Sequence, residues 1–308
     1  MKNFFKKFIY SLIPIKLITN NFNPVLLYHS IGSNTNLNGN IDHVNLEILY
    51  KQLKTIQKYW KFVSIDEYSN AKKKKGIASI TIDDGYKNVL DEAINIFKNL
   101  QIPVTLFINS STFNGKIFWR DKVRYLIKNN LVREYLSFSN LFAVEHYDKF
   151  YFISKLPKFN SKLVEIDIDN FLKKKNITLI NDSKFCFDQK KYLIKDNLIS
   201  YGNHTANHYL LSSLDKNEQF DEIMKCKNFL DKQDINISSV FSMPFGGDDS
   251  FNKETIKIIR DLDYKSFLKS KNELDNITFS NKIDRFMPKE TNIENVLKIL
   301  FLKKIIKN

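Results

Sequence analysis

The chain has 308 residues, of which 43% are hydrophobic and 27% charged, and a formal net charge of +14. That composition reads as a globular, soluble chain and excludes a low-complexity or repeat protein, while the length suits one large α/β barrel as well as two domains. The positive excess favours anionic glycans, a membrane surface or nucleic acid as partners, or reflects a generally basic solvated surface. No nucleic-acid motif accompanies it, so nucleic acid is not expected as a partner. Cys186 and Cys226 form neither a metal pair nor a disulfide framework, which is compatible with a reducing compartment.

Within residues 1–20, Phe4, Phe5, Phe8, Ile9, Leu12 and Ile13 recur at helical spacing beside Lys2, Lys6 and Lys7, until Pro14 breaks the pattern. The apolar run is too short to span a bilayer, and no small-residue cleavage site follows it. Two readings stay open: a basic amphipathic helix lying on an anionic membrane surface, or a helix packed on the domain's own core. The first places the protein in the cytoplasm, peripheral to the inner membrane.

Residues 24–29 then read as a buried strand ending in Tyr28 and His29. Leu46, Leu49, Leu53 and Ile56 mark a helix, and a short strand follows at 61–64. Lys72 to Lys75 read as an exposed turn. Residues 79–82 are a β-branched, apolar run that ends on Asp83, Asp84 and Gly85. Alternation along a strand would send two adjacent carboxylates to opposite faces, but a glycine straight after lets the backbone turn both into one cavity. Adjacent like charges repel unless a cation or proton is shared. A metal ligand beside a general base therefore competes with a plain solvated turn.

Val89, Leu90, Ala93, Ile94 and Phe97 continue as an amphipathic helix, and 104–108 as a strand. Strands that alternate with helices and are apolar throughout predict a parallel sheet or barrel. From about 109 to 196 the rhythm breaks into a lysine- and aromatic-rich insertion, helical at 121–128 and 161–174. Strand–helix order resumes with a strand at 198–201 and a helix whose Asp215 and Glu218 resemble a capping box. A strand at 239–243, a helix capped by Asn252, strands at 264–268 and 282–287, and an amphipathic helix after Asn292 complete the chain. The predicted organisation is a basic segment over 1–20, one catalytic barrel over 21–290 that carries the insertion, and a C-terminal helix over 291–308.

His204 and His208 directly follow a predicted strand. Histidines at i and i+4 face one side of a helical turn and suit two ligands on one divalent ion, although an isolated pair of this kind is more often chance. One carboxylate and two imidazoles at the C-terminal ends of barrel strands are a stronger signal, because barrel enzymes place their chemistry there.

Thr81-Ile82-Asp83-Asp84-Gly85, then His204-Thr205-Ala206-Asn207-His208, then Met243-Pro244-Phe245-Gly246 resemble, in order and spacing, the first three motifs of the polysaccharide deacetylases (carbohydrate esterase family 4, NodB-like). Leu27-Tyr28-His29 and the stretch from Trp60 to Asp66 resemble the branch found in surface-glycan biosynthesis. The resemblance covers most of 24–287 except the insertion, and implies a distorted, incomplete (β/α) TIM-like barrel. It implies that Asp84, His204 and His208 hold a divalent metal, Zn²⁺ first with Co²⁺, Ni²⁺ or Fe²⁺ as alternatives. Asp83 would be the general base, and the Phe245 backbone N–H would donate to the developing oxyanion. The expected partner is an acetylated glycan, losing its N-acetyl or O-acetyl group.

Two departures stand out. The third motif often opens with an arginine that pairs with the base; Ser242 occupies that place, and Arg285 on a late strand is the candidate replacement or a surface arginine. The late Leu-x-His that supplies the family's general acid is missing, and His29 is the candidate in its stead, or merely orients the site. These departures leave room for a catalytically impaired glycan-binding protein on the same fold. His43 and His146 read as surface residues. Trp119, Tyr125, Phe138, Tyr147, Tyr151 and Phe152 offer either sugar-stacking platforms or the insertion's own small core.

Overall fold

A computed structural model describes residues 13–33, 43–179, 193–276, 280–288 and 291–307. Its centre is a parallel sheet whose strands follow chain order: β1 (Val25–Tyr28), β2 (Ile77–Ile82), β3 (Val104–Ile108), β4 (Ile199–Asn203), β5 (Ile237–Ser242), β6 (Ser266–Lys269) and β7 (Lys282–Asp284). A two-residue strand, Lys61–Phe62, pairs alongside the first residues of β2. Strands β1 and β3 are buried along their whole length, the pattern of a sheet covered on both faces. Just past β7, Leu27 N donates to Phe286 O at 2.9 Å and Phe286 N to Val25 O at 3.2 Å. This one bridge brings the two ends of the sheet together, so the ring is an incomplete TIM-like barrel.

Helices α1 (Ile15–Asn21), α2 (Leu46–Ile56), α3 (Ile65–Asn70) and α4 (Ile94–Asn99) precede the insertion, which contains α5 (Trp119–Lys128), α6 (Val132–Phe138), α7 (Phe150–Ile153) and α8 (Ser161–Lys174). Helices α9 (Lys216–Leu230), α10 (Lys253–Asp261) and α11 (Ile293–Lys307) follow it. The capping box on α9 is present, with Glu218 N donating to Asp215 Oδ1 at 2.8 Å, and Asn252 caps α10. The helix expected at 89–97 opens instead with a π-helical turn, Val89–Ala93, before α4. That wider turn carries Glu92, whose carboxylate accepts from Ser33 N at 2.7 Å and so ties the helix to the loop after β1.

The insertion's aromatic richness is mostly its own core. The Tyr135 ring meets Phe142, Phe150 and Phe171, Phe138 also packs on Phe171, and Tyr125 and Tyr147 are half-buried against the same cluster. Only Phe152, 63% exposed, presents a broad ring to solvent among the six aromatics singled out above.

Helix α11 is amphipathic only over its first turns: Ile293, Leu297, Leu300 and Phe301 are buried, whereas Ile305 and Ile306 are exposed. Most of the expected basic N-terminal helix, residues 1–12 with Lys2, Lys6 and Lys7, lies outside the described residues, as does Cys186. The described remainder, α1, buries Ile18 and leads into Phe22, whose ring meets Phe301 of α11 at 5.6 Å. Among the described residues no helix is long and apolar enough to cross a membrane.

Candidate active site

Parallel strands in register end together, and the ends of β1, β2, β4 and β5 bring four separate loops to one face of the barrel. Tyr28 pairs with Ile82, so His29 and Asp83 occupy the next row of adjacent strands, and Asp83 N donates to Tyr28 O at 2.9 Å. Three of these loops contain non-glycine residues in the left-handed region: Asp84 at φ 72°, Thr205 at 67°, His208 at 57° and Phe245 at 64°. Such backbone costs about 1–3 kcal/mol per residue and persists only where surroundings over-determine it, characteristically at functional sites. Asp84 itself, together with Gly85 at φ 78°, makes the bend that brings both carboxylates to His204, whose Nε2 lies 3.7 Å from Asp83 Oδ2 and 3.5 Å from Asp84 Oδ1. Gly246 is required for a different reason, because a Cβ there would lie 2.5 Å from Ser270 N.

Asp83 is buried and heavily bonded. Arg285, fully buried, gives it a bidentate pair: Nη1 to Oδ1 at 2.8 Å and Nη2 to Oδ2 at 2.7 Å. Ser242 Oγ adds a bond to Oδ2 at 3.0 Å and accepts from Arg285 Nη2 at 3.0 Å. Arg285 Nη1 also donates to Thr81 Oγ1 at 3.1 Å and Nε to Lys269 O at 3.1 Å, so all five guanidinium donors are used. Burial opposes charge on Asp83, but Arg285, His204 and His29 together outweigh burial and hold the carboxyl below its usual range. Three donors on a carboxylate with roughly four acceptor sites leave one for a proton. Arg285 thus reaches Asp83 from just past β7, and Ser242, in the place the resembled motif gives to arginine, bridges the two.

Asp84, His204 and His208 are all buried, and their ligating atoms lie within 4.8 Å of one another. Asp84 Oδ1 stands 3.5 Å from His204 Nε2 and 3.3 Å from His208 Nε2. Around an ion bonded at ~2.0–2.2 Å, tetrahedral ligand atoms sit about 3.3–3.6 Å apart, so these spacings suit one shared cation. Asp84 Oδ1 is buried without a hydrogen-bond donor, the orphaned state that a cation would relieve. His204 Nδ1 meets Ser242 O at 2.9 Å, which fixes the ring and turns the Nε2 lone pair into the cluster. Burial pushes the His208 imidazole down to about 3, which favours the neutral ring, the form able to ligate a cation. Burial also opposes charge on His204, but the Asp83 and Asp84 carboxylates prevail and raise its pKa. The donor set fits a divalent metal.

The helical-turn geometry expected for His204 and His208 is not what brings them together. Residues 204–208 form an irregular loop in which Thr205 and His208 take left-handed backbone, and the two rings meet at 4.8 Å, 69° apart in plane. The start of the loop is held by a side chain instead, with Thr205 N donating to Asn203 Oδ1 at 2.8 Å.

No protein-family model matches the chain, and no curated protein sequence matches it. Solved structures do. The deacetylase PplD of Streptococcus pyogenes, in complex with acetate, superposes with a TM-score of 0.52 at 20% identity, covering 91% of this chain and 98% of that one. The BpsB deacetylase domain of Bordetella bronchiseptica gives 0.52 at 13% identity, over 87% and 96% of the two chains. A polysaccharide deacetylase from Bacillus cereus gives 0.50 at 13% identity, over 86% of this chain and 64% of that one. The chain has the polysaccharide-deacetylase fold.

On that deacetylase fold the remaining candidates take these positions. His29 is half-buried at the end of β1, close enough for its charge to act on both Asp83 and Asp84, and its Nδ1 is buried without a partner. The Phe245 ring packs on His208 at 4.7 Å, and the Phe118 ring meets the same imidazole at 5.1 Å. His43 is not a free surface residue: Nδ1 meets Ser30 Oγ at 2.9 Å and Nε2 meets Gly32 O at 3.1 Å, behind the β1 loop. His146 Nδ1 accepts Ala143 N at 3.2 Å within the insertion, remote from these loops in its contacts with Phe142 and Phe159.

Several roles at the site escape sequence reasoning, which offers Trp119 only as a stacking platform or core residue and gives Asp121 and Glu222 no role. Trp119 is buried and gives its Nε1–H to His208 O at 2.9 Å. Asp121, paired with Arg124 Nη1 at 2.5 Å, has its carboxyl raised by burial and also by the Asp84 charge, which puts it within the field of the site. Asn207 and Glu222 lock together, with Asn207 N and Nδ2 donating to the carboxylate at 2.8 and 2.6 Å. An indole among many aromatics and an acid among many charges carry no spacing signal, so nothing local distinguished them.

Proposed function

We propose that this protein is a metal-dependent deacetylase that hydrolyses the N-acetyl group, or an O-acetyl group, of a sugar in a cell-surface polysaccharide or its lipid-linked precursor. The observation that carries the reading is the Asp84, His204 and His208 cluster set beside a separate carboxylate, Asp83, that is held ionised by Arg285. A divalent ion held there supplies Lewis acidity, acidifying water and polarising the acetyl carbonyl.

The chain's own groups account for the proton movements. Asp83 takes a proton from the attacking water as the new C–O bond forms. The Phe245 N–H donates to the carbonyl oxygen as it gains charge. His29 gives a proton to the sugar nitrogen as the C–N bond breaks, leaving a free amine on the sugar and acetate. Acetate in the Streptococcus pyogenes neighbour accords with that product. The alternative, a glycan-binding protein without turnover, loses its main support because Arg285 lies on Asp83. A cytoplasmic, membrane-peripheral location through the N-terminal segment stays part of the proposal.

The deciding experiment incubates the purified protein with N-acetylhexosamine oligomers and measures acetate. Release is expected with Zn²⁺ or Co²⁺, should stop with a chelator and should return on adding metal; glycan binding without acetate under every metal tested would overturn the reading. His29→Gln is expected to lower kcat by about 10²–10⁴-fold with metal content retained, the usual loss for a proton donor. Unchanged kcat would remove His29 from the chemistry and leave it an orienting residue.

A further inference from the structure

We propose that the insertion is a latch on the second metal-binding loop, with Trp119 and Lys116 as positioning residues for His208. The inference rests on reading Asp84, His204 and His208 as the metal site.

The loop from 204 to 208 holds two non-glycine residues in left-handed backbone, one of them the β-branched Thr205, for which that region is a genuine outlier. Inside the loop His208 N donates to Thr205 Oγ1 at 3.0 Å, and further polar groups of the loop are held from outside. The barrel supplies part of that hold: Asn109 Nδ2 donates to His204 O at 2.5 Å, Asn203 Oδ1 accepts Thr205 N, and Glu222 takes both Asn207 donors. None of these reaches the main chain at His208 itself.

The insertion supplies the rest. Trp119 Nε1 donates to His208 O at 2.9 Å, and Phe118 stands edge-on to the His208 ring. Lys116 Nζ donates to Asn207 Oδ1 at 2.8 Å and to Tyr209 OH at 3.2 Å, gripping the residues on both sides of His208. Lys116 is anchored by Glu165 of α8 at 2.7 Å, and the same carboxylate is held by Lys122 of α5 at 2.9 Å and by Tyr209 OH. Glu165 is buried, and burial alone would raise its pKa, but Lys122 and Lys116 keep it low and charged. Two insertion helices and the loop before them therefore converge on a single metal ligand. If the latch opens, His208 can relax to ordinary backbone, and its Nε2 leaves the 3.3 Å contact with Asp84 Oδ1. Preorganisation of this kind lowers the ordering required on binding and so raises affinity for the ion.

A purely packing role for the same residues predicts a change in unfolding temperature with no change in the metal site. The test titrates metal-free wild type, Trp119→Phe, Lys116→Met and Lys116→Arg with Co²⁺ alone, following the visible d–d absorption, and records thermal unfolding of each metal-free protein. Trp119→Phe keeps an aromatic ring in place but loses the indole donor and part of the buried volume. It is expected to bind Co²⁺ about 10–100-fold more weakly, the range seen when partners of a metal ligand are lost, with an altered spectrum. Lys116→Met should weaken binding as well, and Lys116→Arg should restore most of it. Wild-type affinity and spectrum in both Trp119→Phe and Lys116→Met would overturn the latch while leaving the metal reading intact. No Co²⁺ binding by wild type would overturn both. Should Trp119→Phe fail to fold, the Lys116 pair, at a half-exposed side chain, decides alone.

Discussion

Asp84→Asn is expected to empty the site of divalent metal and to lower kcat/KM for acetate release by about ten-thousand-fold. Asparagine keeps the size of the side chain and tolerates left-handed backbone, so the bend at φ 72° survives and only the charge is lost. The two imidazoles then have no anionic co-ligand, and the several kcal/mol of transition-state stabilisation that a bound ion provides goes with it, at about 1.4 kcal/mol per factor of ten. Metal content of the purified variant, by elemental analysis, is the first measurement; kcat/KM with saturating Zn²⁺ or Co²⁺ is the second. Full metal content together with wild-type activity would sink the assignment of Asp84.

Arg285→Met should damage both stability and rate. It removes five hydrogen bonds and leaves the Asp83 carboxylate buried without its paired guanidinium. Breaking a buried pair from one side costs about 3–5 kcal/mol, because the remaining charge is uncompensated. The base is also disarmed, since burial now favours its protonated form, and loss of general-base catalysis is worth about 10²–10⁴-fold in kcat. Arg285→Lys returns a charge but cannot reproduce the planar fork, so it should recover only part of either quantity. Denaturant unfolding and steady-state kinetics on the same preparations read the two effects. Unfolding free energy within about 0.5 kcal/mol of wild type would mean that the ion pair is not the structural element its bonding implies.

Much of the scaffold was written locally. Apolar runs at 24–28, 79–82 and 104–108 became β1, β2 and β3 because a strand covered on both faces needs apolar side chains throughout. The capping box of Asp215 and Glu218, and Asn252 at the start of α10, are contacts between residues three apart and so are visible in one dimension. Asp83, Asp84, His204 and His208 could be named because motif order carried them, and strand ends in a parallel sheet lie on one face.

Other features depended on where distant residues meet. The pair of histidines was expected on a helical turn, yet its geometry comes from Asn203, Asn109 and the insertion acting on an irregular loop. Arg285 could be proposed for Asp83 from 202 positions away, but the sequence equally allowed a surface arginine until β7 took its place beside β6. Trp119, Lys116 and Glu165 had no periodic or motif signal, and their link to His208 exists only because the insertion folds back over the barrel. Secondary structure, caps and motif identity follow from interactions a few residues apart. Charge pairing, ligand spacing and the hold on strained loops follow from contacts between segments far apart in the chain, which packing alone selects.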